Sequence, residues 1–254
     1  MLVAALRWVR GVSTSGGFVR RGFWLRLTEV LVRPIAIMMT KRQWRGQEHI
    51  PASGPAILVP NHLSNADPLI VAHFVFDRPR NPRFLAKDSL FTVPVIGYML
   101  RQMHQIPVRR GTADAMTALK AAISVLESDE TVIIYPEGTC TADPQLWPMQ
   151  GKTGVARLAL TTGASVIPIA QWGAQRFHNP VTGKIGFRPR TRVTVAAGPP
   201  VDLTRFMDCP LTNEVLRGAT DTILRRLRDD VAAVRGEPAP VGPLFVPAKS
   251  RRLI

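Results

Sequence analysis

Residues 56–68 read AILVPNHLSNADP and place an unbroken apolar run directly before a polar loop. Four consecutive apolar residues closed by a proline are typical of a buried strand. A second run of this kind, TVIIYP, spans residues 131–136. Both predicted strands lead into loops rich in polar side chains, and such loops are where α/β proteins commonly place reactive groups.

Apolar runs and helical patterns alternate along the rest of the chain. Residues 164–170 and 192–197 predict two more strands. Apolar side chains at helical spacing predict helices over residues 112–127, 152–160 and 211–234. Strands that alternate with helices indicate an α/β layer architecture.

The chain has 254 residues, which suits one large domain with a single core. Its formal net charge of +15 favours an anionic partner such as nucleic acid, anionic lipid or an acidic carrier protein. The nearly balanced central part carries no nucleic-acid-binding motif, so we expect no nucleic acid partner. Two cysteines, Cys140 and Cys209, are too sparse for a disulfide scaffold and are not spaced as metal ligands, which favours a reducing cytosolic environment.

The first 41 residues combine positive charge with apolar side chains. Residues 1–45 carry nine Lys and Arg against a single acid, Glu29. No stretch reaches the roughly 20 apolar residues that a membrane-spanning helix needs. Residues 17–41 interleave arginines with apolar and aromatic side chains such as Trp24, which is typical of a helix lying in the membrane interface. An ordinary surface helix docked on the core is the alternative.

The C-terminal end has a different composition from the rest of the chain. Residues 237–247 contain four prolines and little periodicity, which predicts an extended or loosely packed strap. We therefore divide the chain into a basic amphipathic segment (1–41), a central domain (42–236) and a Pro-rich tail (237–254).

His62 and Asp67 lie five residues apart in the loop after the first predicted strand. On one continuous helix this spacing would put them about 140° apart, so they meet only if the backbone turns near Asn65. If they meet, the carboxylate can orient the imidazole and stabilise its protonated form, which would make His62 a general base. The alternative is that Asp67, followed by Pro68, only caps a helix running to about Phe76. The spacing alone favours neither interpretation.

Two further loops carry side chains that suit ligand binding. Glu137 can orient hydroxyls or basic side chains, Gly138 permits close approach of the backbone, and Thr139 offers a hydroxyl and an amide. The alternative for these three residues is a plain turn. Arg109 and Arg110 end a short predicted strand just before a helix, where they suit a phosphate grip, unless they are simply solvated.

Five blocks of the sequence, taken in order, resemble the PlsC family of glycerophospholipid acyltransferases. They are NHLSNAD (61–67), FLAKDSLF (84–91), PVRRG (107–111), YPEGT (135–139) and VIPI (166–169). The resemblance covers about residues 43–200 and implies an acyltransferase domain with a central mixed β-sheet flanked by helices. It also implies transfer of a fatty acyl group from a thioester to a hydroxyl of lysophosphatidic acid (1-acyl-sn-glycerol 3-phosphate), which gives phosphatidic acid in phospholipid biosynthesis.

The resemblance assigns roles to the matching residues of this HX4D-type site. They are the catalytic base His62 with its orienting partner Asp67, the phosphate ligands Lys87 and Arg110 with Arg109 as a weaker candidate, and the acceptor-pocket residues Glu137, Gly138 and Thr139. Acyl-CoA or acyl carrier protein is the expected co-substrate, with no metal ion or redox cofactor. The chain contains no GxSxG elbow, so we expect direct transfer without a serine acyl-enzyme.

One position departs from the pattern of the family. Its members usually continue Pro-Glu-Gly-Thr with a basic residue, and this chain has Cys140 there. One expected cation is therefore missing, although Lys152 or Arg176 can reach the region. Nothing near Cys140 in the sequence activates its thiol, so we do not expect a cysteine nucleophile.

The uncharged stretch 90–100 predicts a membrane-facing surface or an acyl-chain tunnel, with plain core as the alternative. Together with residues 1–41 it predicts a peripheral, monotopic enzyme on the cytoplasmic face of the cell membrane. The expected partners are anionic membrane lipids, a lysophospholipid acceptor and the acyl donor. The alternatives are acylation of glycerol 3-phosphate or another lysophospholipid, and a lipid-binding scaffold without catalysis.

Overall fold

The computed structural model describes residues 23–109, 112–186 and 189–247. Helices and strands alternate through these residues. The strands are β1 (Thr40–Arg45), β2 (Ala56–Pro60), β3 (Arg83–Lys87), β4 (Ile106–Val108), β5 (Thr131–Ile133), β6 (Ser165–Trp172) and β7 (Thr191–Ala197). The helices are α1 (Phe23–Met39), α2 (Asp67–Phe76), α3 (Ile96–Gln102), α4 (Thr112–Glu127), α5 (Gly154–Thr162), α6 (Thr204–Met207) and α7 (Asn213–Arg235).

Within the described residues, seven strands form one sheet in the order β1-β7-β6-β2-β5-β3-β4. Neighbouring strands run parallel, except that β6 and β7 pair antiparallel. Strand β2 lies at the centre, where Leu58 pairs with Ile133 of β5 on one side and Ile167 of β6 on the other. The prediction of an α/β fold with a central mixed sheet flanked by helices is confirmed.

The sheet carries a hydrophobic core on each face. Because side chains alternate along a strand, Ile57 and Val59 of β2 join the core formed with α4, α5 and α7. Leu58 points the other way and joins the core formed with α2, which includes Phe74. All residues of β2 are buried, and burial on both faces explains why its sequence is an unbroken apolar run.

The parallel strands position the candidate site. Since β2, β5 and β3 run parallel and adjacent, their carboxyl ends and the loops that follow lie at one edge of the sheet. Strands β1 and β7 run in the opposite direction, so they begin at this edge. The open edge of an α/β sheet beyond its carboxyl ends is the usual place for a ligand.

Most of the predicted elements are present. Strands β2, β4, β6 and β7 and helices α4, α5 and α7 fall where the sequence predicted them. Strand β5 ends at Ile133, earlier than predicted, although the amide of Ile134 still donates to the carbonyl of Leu58 at 3.0 Å. Strands β1 and β3 were not predicted. Their charged and half-exposed sequences lack an apolar run, because both strands lie toward the sides of the sheet.

Helix α1 covers the C-terminal part of the predicted amphipathic segment. One side of it docks on the domain, since Arg33 donates to Asp77 at 2.7 Å and Trp24 packs edge-on against Tyr98 with ring centroids 5.2 Å apart. Residues 1–22, the remainder of that predicted segment, lie outside the described residues. No helix in the described part of the chain is both long and apolar enough to cross a membrane.

Large apolar side chains of α1 and of residues 90–100 are exposed. They are Phe23, Val30, Ile35, Ile37 and Met38 on α1, and Leu90, Val93, Val95, Ile96 and Tyr98 in the second segment. We call these ten residues the apolar surface. The alternative that residues 90–100 form plain core is wrong for these side chains. The contact between Trp24 and Tyr98 joins the two parts of the surface.

The Pro-rich tail packs against the loop that precedes α5. The carbonyl of Phe245 accepts a hydrogen bond from the Gln150 amide at 2.8 Å. At the end of α7, the Arg235 guanidinium lies 3.9 Å from the ring centroid of Trp147 and 4.2 Å from that of Trp172. The predicted strap is therefore packed at Phe245, while residues 248–254 lie outside the described residues.

Candidate active site

His62 lies in the loop after β2, residues 61–66, which we call the His62 loop. The loop after β5 fixes the His62 backbone on both sides. The His62 amide donates to Oε1 of Glu137 at 3.1 Å, and the His62 carbonyl accepts from the Thr141 amide at 2.8 Å. Two loops that are distant in the chain therefore form one unit at the edge of the sheet.

A buried carboxylate holds the His62 ring. Oδ2 of Asp67 lies 3.0 Å from Nδ1 of His62 and also accepts the amides of Leu63 and Ser64. Burial raises the pKa of Asp67 above its ordinary value, and the hydrogen bonds from these three residues oppose that shift. These hydrogen bonds stabilise the ionised form of Asp67, which accepts a hydrogen bond from Nδ1 in one tautomer of the imidazole and leaves Nε2 to act as a base.

The prediction that Asp67 is the N-cap of α2 is wrong. Ala66 occupies the cap position, and Asp67 is the first residue of the helix. The backbone turns just before it, where the Asp67 amide donates to the Ser64 carbonyl at 3.1 Å. This turn points the carboxylate back toward the His62 loop, so the capping-only alternative is excluded.

Stacking fixes the plane of the His62 ring. The Tyr135 ring lies 4.2 Å from it, centroid to centroid, at an interplanar angle of 29°. Burial raises the pKa of Tyr135 well above its ordinary value, so this ring remains a neutral phenol. The His62 side chain is 16% exposed, and a partly exposed imidazole held by a carboxylate can act as a general base.

A pair of buried amides joins the His62 loop to β6. Asn61 Oδ1 accepts the Gln171 amide at 2.8 Å, and Nδ2 of Asn61 donates to the Gln171 carbonyl at 3.2 Å. The Gln171 side chain donates in turn to the Asn61 carbonyl at 2.6 Å. Three hydrogen bonds between two buried residues therefore anchor the start of the loop.

Glu137 is turned inward and holds two loops. Besides the His62 amide on Oε1, its Oε2 accepts the Met149 amide at 3.2 Å. Burial raises the pKa of Glu137 from 4.5 to about 8, against the opposing effect of these hydrogen bonds. With its carboxylate buried, Glu137 shapes the site by positioning backbone, and it does not present a charge to solvent.

Gly138 and Thr139 follow on the exposed side of the same turn. We call residues 136–139 the PEGT loop. Gly138 adopts a φ of +70°, a conformation that a residue with a side chain rarely takes, and its amide donates to the Tyr135 carbonyl at 3.1 Å. Both Gly138 and Thr139 are accessible to a ligand, and their predicted contribution to an acceptor pocket stays a prediction.

Two of the predicted phosphate ligands, Lys87 at the end of β3 and Arg109 directly after β4, lie beyond β5 as seen from β2. Lys87 is exposed at the carboxyl end of β3, two strands away from β2 and so about 10 Å along the sheet edge. Nε of Arg109 donates to Asp88 at 3.1 Å, which partly occupies this guanidinium. Arg110 lies outside the described residues.

Cys140 contacts the His62 ring. Its Sγ lies 3.6 Å from Nδ1 and 3.7 Å from Nε2 of His62, and 3.7 Å from Oδ1 of Asn65. Burial raises the pKa of the Cys140 thiol to about 12, and the charges of Asp67 and Glu137 add to the shift. The thiol therefore stays protonated near neutral pH, which supports the prediction that Cys140 is not a nucleophile.

In the described part of the chain, no three His, Cys, Asp or Glu side chains come together as metal ligands.

A histidine and carboxylate pair beside the central strand of an α/β sheet is suited to general-base catalysis. Residues 41–172 match the family described as Acyltransferase, and the chain belongs to this family.

Named relatives agree with this assignment. A chloroplastic 1-acyl-sn-glycerol-3-phosphate acyltransferase of Brassica napus is 30% identical over 57% of this chain and 39% of its own length. The 1-acyl-sn-glycerol-3-phosphate acyltransferase of Borreliella burgdorferi is 29% identical over 72% of this chain and 70% of its own. The chain thus spans about two fifths of the chloroplastic relatives that it matches.

A solved structure has the same fold. The crystal structure of the 1-acyl-sn-glycerophosphate acyltransferase PlsC from Thermotoga maritima superposes with a TM-score of 0.64. The superposition covers 85% of this chain and 81% of the Thermotoga maritima chain, and the two sequences are 24% identical. This likeness establishes the fold.

Several contacts that shape the site were not predicted from the sequence. The Tyr135 stack, the clamp between Asn61 and Gln171, and the contact of Cys140 with His62 all join residues that are distant in the chain. No local pattern signals such contacts. Gln171 offered one weak sign, because a polar residue two positions after the apolar VIPI block, in the same buried strand, needs a buried partner.

The raised pKa of Glu137 predicts a specific dependence of stability on pH. The folded state favours the protonated carboxyl of Glu137. Its contribution to the free energy of unfolding is therefore complete below about pH 4.5 and is lost as the pH rises through about 8. The free energy of unfolding should therefore fall across that window in the wild type and fall less in Glu137→Gln. Urea unfolding at a series of pH values measures it. The exposed Glu127→Gln should keep the wild-type slope, and equal slopes in all three proteins would contradict the assignment.

Proposed function

We propose that the protein transfers a fatty acyl group from an acyl thioester to the free hydroxyl of lysophosphatidic acid, giving phosphatidic acid. The observation that carries this proposal is the pairing of His62 with the buried Asp67 at the edge of the sheet. The relatives named as 1-acyl-sn-glycerol-3-phosphate acyltransferases support the choice of acceptor. The reaction would serve phospholipid biosynthesis.

His62 acts in this proposal as the general base. Its Nε2 removes the proton of the acceptor hydroxyl while the hydroxyl oxygen bonds to the thioester carbonyl carbon. Asp67 stabilises the resulting imidazolium through Nδ1, and the stacked Tyr135 ring keeps the imidazole in place. The tetrahedral intermediate then expels the thiolate, which takes the proton from His62. The acyl group passes directly between the substrates.

The acyl donor is either acyl-CoA or acyl carrier protein, and the proposed chemistry requires no metal ion or redox cofactor. On the acceptor side, Lys87 and Arg110 bind the phosphate and Arg109 assists. The PEGT loop forms the wall of the acceptor pocket, and its Glu137 side chain holds the loop in place by accepting the amides of His62 and Met149.

Replacing the catalytic pair tests the proposal. His62→Asn should lower the rate of acyl transfer by about 10²–10⁴-fold, because it removes the base and still offers an amide to Asp67. Asp67→Asn should also lose most activity, since an amide stabilises the imidazolium poorly. The rate of thiol release from acyl-CoA with lysophosphatidic acid measures both. His104→Asn, a change at an exposed histidine, is the control and should keep full activity.

Two outcomes of this assay would count against the assignment. Turnover by a folded His62→Asn protein near the wild-type rate would exclude His62 as the base. Wild-type turnover of glycerol 3-phosphate or another lysophospholipid, without turnover of lysophosphatidic acid, would move the proposal to that acceptor. Circular dichroism of each variant separates loss of chemistry from loss of fold.

We also propose that the protein binds peripherally to the cytoplasmic face of the membrane through residues 1–41 and the apolar surface. Support comes from exposed side chains such as Phe23 and Val30, which are 70% and 68% exposed, and from the positive charge of the N-terminal segment. Basic side chains near anionic headgroups each contribute about 1 kcal/mol, and inserted apolar side chains add a part that salt does not screen.

The double variant Phe23→Asp and Val30→Asp should weaken this binding. Loss of two inserted side chains should lower the partition constant at least about tenfold. Flotation with vesicles of phosphatidylcholine and phosphatidylglycerol, at low and at high salt, measures it. Val241→Asp changes a fully exposed apolar residue in the C-terminal tail and should float like the wild type. Equal flotation of all three proteins would exclude this face of α1 from the membrane contact.

A further inference from the structure

The side chain of Lys152 lies across Gly138 in the PEGT loop. A Cβ placed on Gly138 would stand 3.2 Å from Cε and 3.4 Å from Nζ of Lys152. The backbone holds Lys152 there, because its amide donates to the Pro136 carbonyl at 2.9 Å. The neighbouring Gly151 packs so closely on the same carbonyl that a Cβ there would stand 2.8 Å from its oxygen. The backbone of Lys152 is therefore hydrogen-bonded to the PEGT loop, which keeps its side chain beside Gly138.

The groups around this loop favour a cation when an anionic substrate enters. The carboxylate of Asp67 lies behind the His62 ring and repels a phosphate, whereas Glu137, whose pKa burial raises to about 8, is mostly neutral near neutral pH and attracts none. Cys140, next to the PEGT loop, is a neutral thiol and supplies no positive charge. Arg109 is shared with Asp88. Lys152 is therefore the basic side chain that lies directly on the PEGT loop, where Cys140 supplies no cation.

Lys152 is available for this purpose. The ion pairs of the described residues join other basic side chains to carboxylates and leave the Lys152 ammonium without a carboxylate partner. The side chain is also exposed, so its charge is open to a ligand. An ammonium that is positioned over a glycine backbone and not neutralised by the protein is suited to bind a phosphate oxygen.

We propose that Lys152 is a specificity-determining residue of the acceptor site, whose ammonium binds the acceptor phosphate over Gly138 and supplies the positive charge that Cys140 does not. The inference rests on the proposed function, because it names the ligand of that same site. Gly138 contributes by having no side chain, which lets the Lys152 stem cross the loop closely. The phosphate then lies beside His62, whose amide is tied to the adjacent Glu137.

Steady-state kinetics with two acceptors tests the role of Lys152. Lys152→Met keeps the length of the side chain and removes its charge, so it should raise the KM for lysophosphatidic acid about 10- to 100-fold. The KM for acyl-CoA and turnover of the phosphate-free 1-acylglycerol should stay unchanged, and Lys152→Arg should restore most of the affinity. Lys184→Met, a change at another exposed lysine, is the matched control.

A merely structural role would give a different pattern. If Lys152→Met impairs both acceptors equally, or if it raises the KM for acyl-CoA instead, the inference is wrong. An unchanged KM for lysophosphatidic acid would also exclude it.

A binding measurement keeps this test separate from the proposed reaction. Glycerol 3-phosphate should raise the melting temperature of the wild type, glycerol should not, and the shift should be lost in Lys152→Met. If no acceptor is turned over and this shift is still present, the proposed function fails and the phosphate site stands. Absence of the shift from the wild type, or its persistence in Lys152→Met, would overturn the site itself.

Discussion

The arrangement of the site depends on the buried carboxylate of Asp67. One oxygen accepts hydrogen bonds from the His62 ring and from the amides of Leu63 and Ser64. A carboxylate without solvent is costly unless several donors compensate it, so the loop must fold back on Asp67 for the protein to bury it. The geometry of the loop and the orientation of the imidazole are therefore fixed by the same three bonds.

A second buried carboxyl repeats this design on the opposite loop. Glu137 accepts amides from His62 and Met149 and so ties the loop after β5 to the His62 loop. The amide clamp between Asn61 and Gln171 adds β6 to the same unit. Two loops and the strand β6 are thus held together by buried polar groups, which leaves the His62 ring edge and the exposed part of the PEGT loop open to a ligand.

The sequence was informative where local patterns decide the structure. The apolar run of β2 is buried on both faces, so its composition alone identified it, whereas β1 carries three basic residues and could not be found in that way. The spacing of His62 and Asp67 favoured neither a catalytic pair nor a helix cap. The family resemblance supplied the preference, and the turn at Ser64 supplied the geometry.

Contacts between distant segments account for what the sequence did not predict. The amide of Lys152 donates to Pro136 across the loop that joins β5 to α5, and Tyr135 stacks on His62 from the loop that follows β5. Such contacts follow from the order of the strands in the sheet, which no single segment encodes. The roles of Lys87 and Arg110, in contrast, came from resemblance to the family and remain predictions.

Direct transfer from thioester to acceptor, with His62 as base, is the central claim, and intact-protein mass spectrometry during turnover tests it most directly. The purified protein is mixed with acyl-CoA and lysophosphatidic acid, and free CoA, phosphatidic acid and protein mass are followed together. The account predicts equal amounts of CoA and phosphatidic acid and an unmodified protein throughout. An acylated protein that forms and decays at the turnover rate, on Cys140 or elsewhere, would contradict it.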